Sequence, residues 1–153
     1  MEQIQRSRDC SLEYRLMMED EKSIETVLMP QTDNHTVCIS SQVGCEMGCD
    51  FCMTGKMGLI RNLDVSEIVN QVLEAWQDLP EGANLRNIVF MGMGEPFHNY
   101  QNVMRALEIF TDVHGFNFSH RRIPVATSGR VPKLRRIGQE TVKQNLARPL
   151  NTV

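Results

Sequence analysis

Cys45, Cys49 and Cys52 stand within eight residues, in the stretch GCEMGCDFCMTGKMG. Thiolates at C-x-x-x-C-x-x-C spacing are ligands for a metal ion or a cluster. A structural zinc ion takes four ligands, typically in C-x-x-C or C-x-x-H pairs. No second pair follows at such a spacing, and His98, His114 and His120 are scattered. An iron–sulfur cube suits this loop better. Each thiolate can hold one corner iron, and the surrounding glycines let the backbone wrap the cube. Three buried structural thiols and a zinc loop are the bland alternatives.

A cube normally takes four protein thiolates. Three leave one iron open to a small molecule. A [4Fe–4S] cluster with an open iron suits S-adenosylmethionine, whose amino and carboxylate groups can chelate it. An electron from the reduced cluster would then split the sulfonium and release a 5′-deoxyadenosyl radical. Such chemistry belongs to the cofactors, and the protein positions and shields them. A second stretch with chemical potential is Met91-Gly92-Met93-Gly94-Glu95-Pro96. Its glycines permit close backbone approach, and Glu95 can accept a charge-assisted hydrogen bond from an ammonium group. On its own, the stretch reads more simply as a βα turn carrying a solvated acid.

Composition narrows the class. With 153 residues, 41% hydrophobic and 23% charged, the chain suits one globular domain with a real core. It has no apolar run long enough to span a membrane, and MEQIQRSRDCSLEYRLMMEDEK has no signal-peptide core. We therefore expect a cytoplasmic protein, where disulfides among the five cysteines would rarely persist. The formal net charge of −3 argues against wholesale nucleic-acid binding. The signs are segregated, however. Glu13, Glu19, Asp20, Glu21, Glu25 and Asp33 make the first part acidic, whereas Arg121, Arg122, Arg130, Lys133, Arg135, Arg136, Lys143 and Arg148 make the segment after His120 basic. That segment is either a solvated surface or a face for an anionic partner.

The elements that must position these residues follow from pattern. Leu12 to Met18 and Ser23 to Met29 flank the polar EDEK turn and predict a β-hairpin, closed by Pro30. Thr36 to Ser40 predicts a buried strand leading into the cysteine loop. A helix follows, capped by Asp64 or Ser66, with Glu67 in its first turn. Val65, Ile68, Val69, Val72, Leu73 and Trp76 form its apolar stripe, and Pro80 and Gly82 end it. Asn87 to Met91 predicts a second buried strand, and Gln101 to Val113 a second helix burying Val103, Leu107 and Phe110. Ile123 to Thr127 predicts a third strand, Pro132 to Gly138 a short basic helix, and Asn145 to Leu150 a fourth strand. This alternation predicts an α/β fold with a parallel sheet and chemistry at the strand ends. About four βα units are too few to close a full barrel.

With both motifs in view, TVCISSQVGCEMGCDFCMTGKMGLIRNL, SEIVNQV, NIVFMGMGEP, RRIPVATSGRVPKL and GQET resemble the RlmN/Cfr family of radical-SAM RNA methyltransferases, from about Ile24 to Thr141. The resemblance implies a partial (β/α) radical-SAM barrel in residues 31–153. A short N-terminal β-hairpin, a remnant of an accessory region, would precede it in residues 1–30. It implies that Cys45, Cys49 and Cys52 hold a [4Fe–4S] cluster, and that Gly94 and Glu95 bind the amino group of S-adenosylmethionine. Cys38 matches the family's second active-site cysteine, which helps resolve a protein–RNA adduct; by residue type and place alone it is a buried strand thiol. Cys10 has no counterpart. The family methylates carbon 2 (RlmN) or carbon 8 (Cfr) of an adenine in 23S rRNA, and RlmN members also modify tRNA. The resemblance favours the RlmN type, with 23S rRNA and tRNA as substrates and an electron donor such as flavodoxin.

Some positions depart from the family pattern. A serine that helps bind S-adenosylmethionine is replaced by Ala126, with Ser128 nearby. Arg148 and Pro149 replace an apolar residue and a serine in NLARPLNTV, and neither suits a central strand. No cysteine follows Cys52, so the family's methyl-carrying C-terminal cysteine has no match, and the barrel's C-terminal half is expected to be absent. Glu2 is the candidate for the family's general base. Two readings follow: a methyltransferase core, or an incomplete cluster-binding fragment.

Overall fold

The computed structural model describes residues 3–32, 34–128 and 145–147. The chain opens with an antiparallel meander of β1 (Gln3–Arg6), β2 (Leu12–Met17) and β3 (Ser23–Pro30). The hairpin anticipated from sequence is β2–β3, and β1 is an addition to it. Its only apolar residue, Ile4, is exposed, so β1 carries no inward alternation to announce it. Alternation in β2 and β3 turns Tyr14, Leu16, Ile24, Thr26 and Leu28 inward.

Then come β4 (His35–Cys38) and an antiparallel ribbon of β5 (Gln42–Cys45) and β6 (Gly58–Asn62), with the short helix α1 (Met53–Met57) inside its loop. Helix α2 (Val65–Gln77), β7 (Leu85–Val89), helix α3 (Tyr100–Thr111), a 3-10 turn (His120–Arg122), β8 (Pro124–Ala126) and β9 (Asn145–Ala147) complete the order. One sheet runs β1-β2-β3-β4-β7, with β4 and β7 parallel. A parallel bridge between Phe90 and Val125 carries the same direction on to β8, which pairs parallel with β9. The four parallel strands expected from sequence are therefore present, and among the described residues the sheet stays open. The expected helix at 132–138 and the basic residues from Arg130 to Lys143 lie outside the described residues, as do Arg148, Pro149 and Glu2.

Helix α2 begins on a full capping box. The Asp64 carboxylate accepts from the Glu67 N–H at 2.8 Å, and the Glu67 carboxylate accepts from the Asp64 N–H at 2.9 Å. Ser66, the other candidate cap, donates instead to Asp64. The buried face differs from the expected stripe. It centres on Ile68, Val72 and Ala75, while Leu73 and Trp76 lie on the flank at 45% and 43% exposure. The polar Gln71 takes the inward place. It is tolerated because its amide is fully used: Oε1 accepts from the Thr26 hydroxyl and the Ser40 N–H, and Nε2 donates to the Ser40 carbonyl. Helix α3 buries Val103, Leu107 and Phe110 as expected, together with Ala106.

Candidate functional site

The β5–β6 ribbon pins both ends of the cysteine loop. Cys45 is the last residue of β5 and sits opposite Gly58. Gly44 has φ +75°, and a Cβ there would overlap the Gly58 carbonyl oxygen, so only glycine lets the ribbon close at this point. The Cys52 N–H donates to the Cys49 carbonyl at 3.0 Å, and Cys52 then stands as the N-cap of α1. Cys45 is buried, and Cys49 and Cys52 are half-buried. Burial pushes the Cys45 thiol up, the Met47 N–H opposes this, and the charges of Cys52, Glu95 and Cys49 add to the rise.

The second motif is laced to the start of this ribbon. Gly92 N–H donates to the Ile39 carbonyl, Met93 N–H to Ser40 Oγ, and Ser41 N–H to the Met93 carbonyl. Asn99 donates from Nδ2 to the carbonyls of Ser41 and Leu63, which holds the turn from the far side. Glu95 is only 3% exposed, so the solvated acid of the plain-turn reading is not what the fold contains. Its carboxylate accepts from the Ser128 N–H at 2.8 Å and the Phe97 N–H at 3.2 Å. Among the described residues it forms no ion pair. A buried carboxylate held by backbone donors and lacking a described cation is suited to receive one from a ligand.

These two motifs meet in one cavity of about 460 Å³. The six candidate residues Cys45, Cys49, Cys52, Gly94, Glu95 and Ala126 all line it. Sequence reasoning missed Phe51 and Thr127 on its walls and gave Met91, at the head of the glycine-rich stretch, no role of its own; these side chains carry no spacing signal and reach the cavity only through the fold. Cys38 stands apart. It ends β4 beside β7, its half-buried thiol meets the Met91 N–H, and burial pushes that thiol up. It touches the cavity's border through Met91 rather than lining it. Cys10 is exposed on the meander and outside the site. His98 Nδ1 lies 2.8 Å from Glu46 Oε1, a close approach off the favoured line of a hydrogen bond, and so joins the cysteine loop to the residues after Glu95.

A sheet of parallel strands with a three-thiol loop after its first parallel strand defines a class, and comparison with known proteins agrees. Residues 39–148 match the Radical SAM superfamily, and the chain belongs to that superfamily. Within it, the chain is similar to the dual-specificity RNA methyltransferase RlmN of Geobacter sulfurreducens, at 51% identity over 98% of this chain and 40% of the relative. It is 49% identical to RlmN 2 of Myxococcus xanthus, over 89% of this chain and 38% of the relative. Among solved structures, a radical SAM methyltransferase from Sphaerobacter thermophilus superposes with a TM-score of 0.90 at 46% identity, covering 95% of this chain and 43% of that one. The chain thus spans about two fifths of the length of the relatives it matches. The RlmN-type resemblance of the motifs is borne out, as is the partial α/β fold.

The cofactors of the superfamily are a [4Fe–4S] cluster and S-adenosylmethionine, and the residues present fit both. The three thiols stand on one loop and line one cavity, as a cube that takes one thiolate at each of three irons requires. The shared cavity leaves room beside the thiols for a small molecule, with a buried carboxylate in reach of it.

Proposed function

We propose that this chain is the cofactor-binding part of an RlmN-type radical S-adenosylmethionine enzyme that methylates carbon 2 of an adenine in 23S rRNA and in tRNA. The observation that carries this reading is the single cavity lined by Cys45, Cys49, Cys52 and Glu95. When bound, the reduced cluster and S-adenosylmethionine supply a carbon radical able to activate an unreactive C–H bond. The chain's own residues do the rest. Cys45, Cys49 and Cys52 hold three irons. Glu95 takes the ammonium of S-adenosylmethionine, with Ser128 and Phe97 N–H groups aiming its carboxylate. Gly94 and Ala126 let the cofactor approach the strand ends, and the buried Phe90 gives the cavity an apolar wall. Cys38, at the cavity's border, acts on the RNA-bound stage.

Residues 1–30 are the accessory part and residues 31–153 the core in this reading. A cytoplasmic reductant such as flavodoxin feeds the cluster, and the described residues contain no helix long and apolar enough to cross a membrane. The test is product analysis. The protein is reconstituted anaerobically with iron and sulfide, reduced, and given S-adenosylmethionine and a 23S rRNA transcript. We expect 5′-deoxyadenosine from the wild type and none from Cys49→Ala. Methyl label on the adenine would extend the assignment to RNA. Deoxyadenosine without methylation would assign this chain the radical-forming half alone, and no deoxyadenosine from a cluster-loaded protein would contradict the reading.

A further inference from the structure

We propose that Gln42 is a positioning residue that fixes the Glu95 turn at a set distance from the first cluster cysteine, so that the carboxylate and the open iron can engage one S-adenosylmethionine together. The inference rests on the cofactor reading above and deepens it. Gln42 opens β5, the strand that ends in Cys45, and its side chain is fully buried. A buried amide demands partners, and this one has them on two elements. Its Oε1 accepts the Glu95 N–H at 2.8 Å, and its Nε2 donates to Asn62 Oδ1 at 2.7 Å. A backbone N–H can only donate, so the amide's orientation is chemically settled: its oxygen must face Glu95, and its nitrogen must face the Asn62 oxygen.

Packing reinforces the tie. Gly94 has φ +97°, and a Cβ built on it would lie 2.6 Å from Gln42 Cβ, so the turn rests directly on this side chain. The Gln42 N–H also donates to the Met93 carbonyl at 3.2 Å. Asn62 ends β6, the other strand of the ribbon that pins the cysteine loop. Gln42 therefore connects both strands of the cluster ribbon to the residue before and the residue after Gly94. Two residues of β5, Val43 and Gly44, separate it from Cys45, with the ribbon's register shift between them, a span of at most about 10 Å. Two binding groups held at a fixed separation can engage one ligand without a further ordering cost, which is what preorganisation contributes to affinity.

The test is a titration of the reduced cluster's electron paramagnetic resonance signal with S-adenosylmethionine. The proteins compared are the wild type, Gln42→Leu, Asn62→Ala and Asn62→Asp, with iron content and thermal unfolding measured alongside. Gln42→Leu keeps all three thiols, so the signal without S-adenosylmethionine should persist, while half-saturation should need about tenfold more of it. Asn62→Ala, a change at an exposed position, should cost about threefold, and Asn62→Asp, which keeps the accepting oxygen, should stay within about twofold of wild type. Where Gln42→Leu fails to fold, the Asn62 pair decides: weakened binding in the alanine variant with recovery in the aspartate variant supports the role. Wild-type affinity in Gln42→Leu, or in Asn62→Ala when the leucine variant does not fold, overturns it and leaves the cofactor reading intact. A wild-type cluster signal indifferent to S-adenosylmethionine would overturn both.

Discussion

Glu95 owes its suitability for an ammonium group to burial without a described cation. Two backbone N–H groups stabilise the carboxylate, yet they supply only partial positive charge, and a ligand ammonium would complete the balance. Glu95→Gln keeps the shape and an accepting oxygen and removes the charge. We expect it to fold normally by circular dichroism and to weaken S-adenosylmethionine binding by about tenfold or more, measured by equilibrium dialysis with the cluster in place. Unchanged binding would mean that the carboxylate does not meet the ammonium. At this scale the sequence was partly legible. The cysteine spacing pointed to a cluster because thiols at those intervals have few other uses, whereas the burial of Glu95 had no local signature. It follows from Ser128, thirty-three residues away, folding back over it. Gln42 was equally hidden, since a glutamine in a polar run reads as surface until the fold supplies its partners.

Among the elements, the cluster ribbon, like β1, went unforeseen in the sequence pattern. Its strands are four and five residues long and are separated by the whole cysteine loop, so neither shows a run of alternation long enough to register. Longer elements announced themselves: α2 and α3 through helical periodicity and the Asp64 cap, β2 and β3 through alternation. What anchors the ribbon to the rest is Arg61 on β6. Its guanidinium reaches Asp20, in the β2–β3 turn, through Nε at 2.7 Å and Nη2 at 3.0 Å. It also reaches Glu67, in the first turn of α2, through Nη1 and Nη2 at 2.8 Å each. A forked group between two carboxylates ties three elements more firmly than a single surface pair would.

Arg61 holds the Asp20 carboxyl down at about 2, below its ordinary 3.8. Such a depressed carboxyl contributes stability above its unfolded value and loses it as pH falls through the folded value. Arg61→Met should therefore lower the Tm by a few degrees at neutral pH, and the gap from wild type should narrow between about pH 4 and pH 2. Differential scanning calorimetry across that range checks the prediction, and a gap that widens on acidification would contradict it. Partial exposure of the pair means that added salt should shrink the neutral-pH gap as well.

For the whole molecule, one continuous sheet joins the N-terminal meander to the parallel strands. β3 lies against β4 in it, and Tyr14, Ile24 and Leu28 enter the same core as Val37, Ile88 and Phe110. Pattern reading found the parallel strands along the chain, because each βα step carried its own apolar run and turn. It did not find that the hairpin would share their sheet, since strand neighbours across a loop leave no mark on either sequence. The parallel strands deliver the Cys45 loop, the Glu95 turn and the Ala126 strand end to the same side of that sheet, around one cavity. The account stands on those residues building a single cofactor site. Its most direct test is electron paramagnetic resonance on the anaerobically reconstituted, reduced protein, recorded with and without S-adenosylmethionine. The account predicts a [4Fe–4S]⁺ signal that changes when S-adenosylmethionine is added; no cluster signal, or one that the addition leaves unchanged, would contradict it.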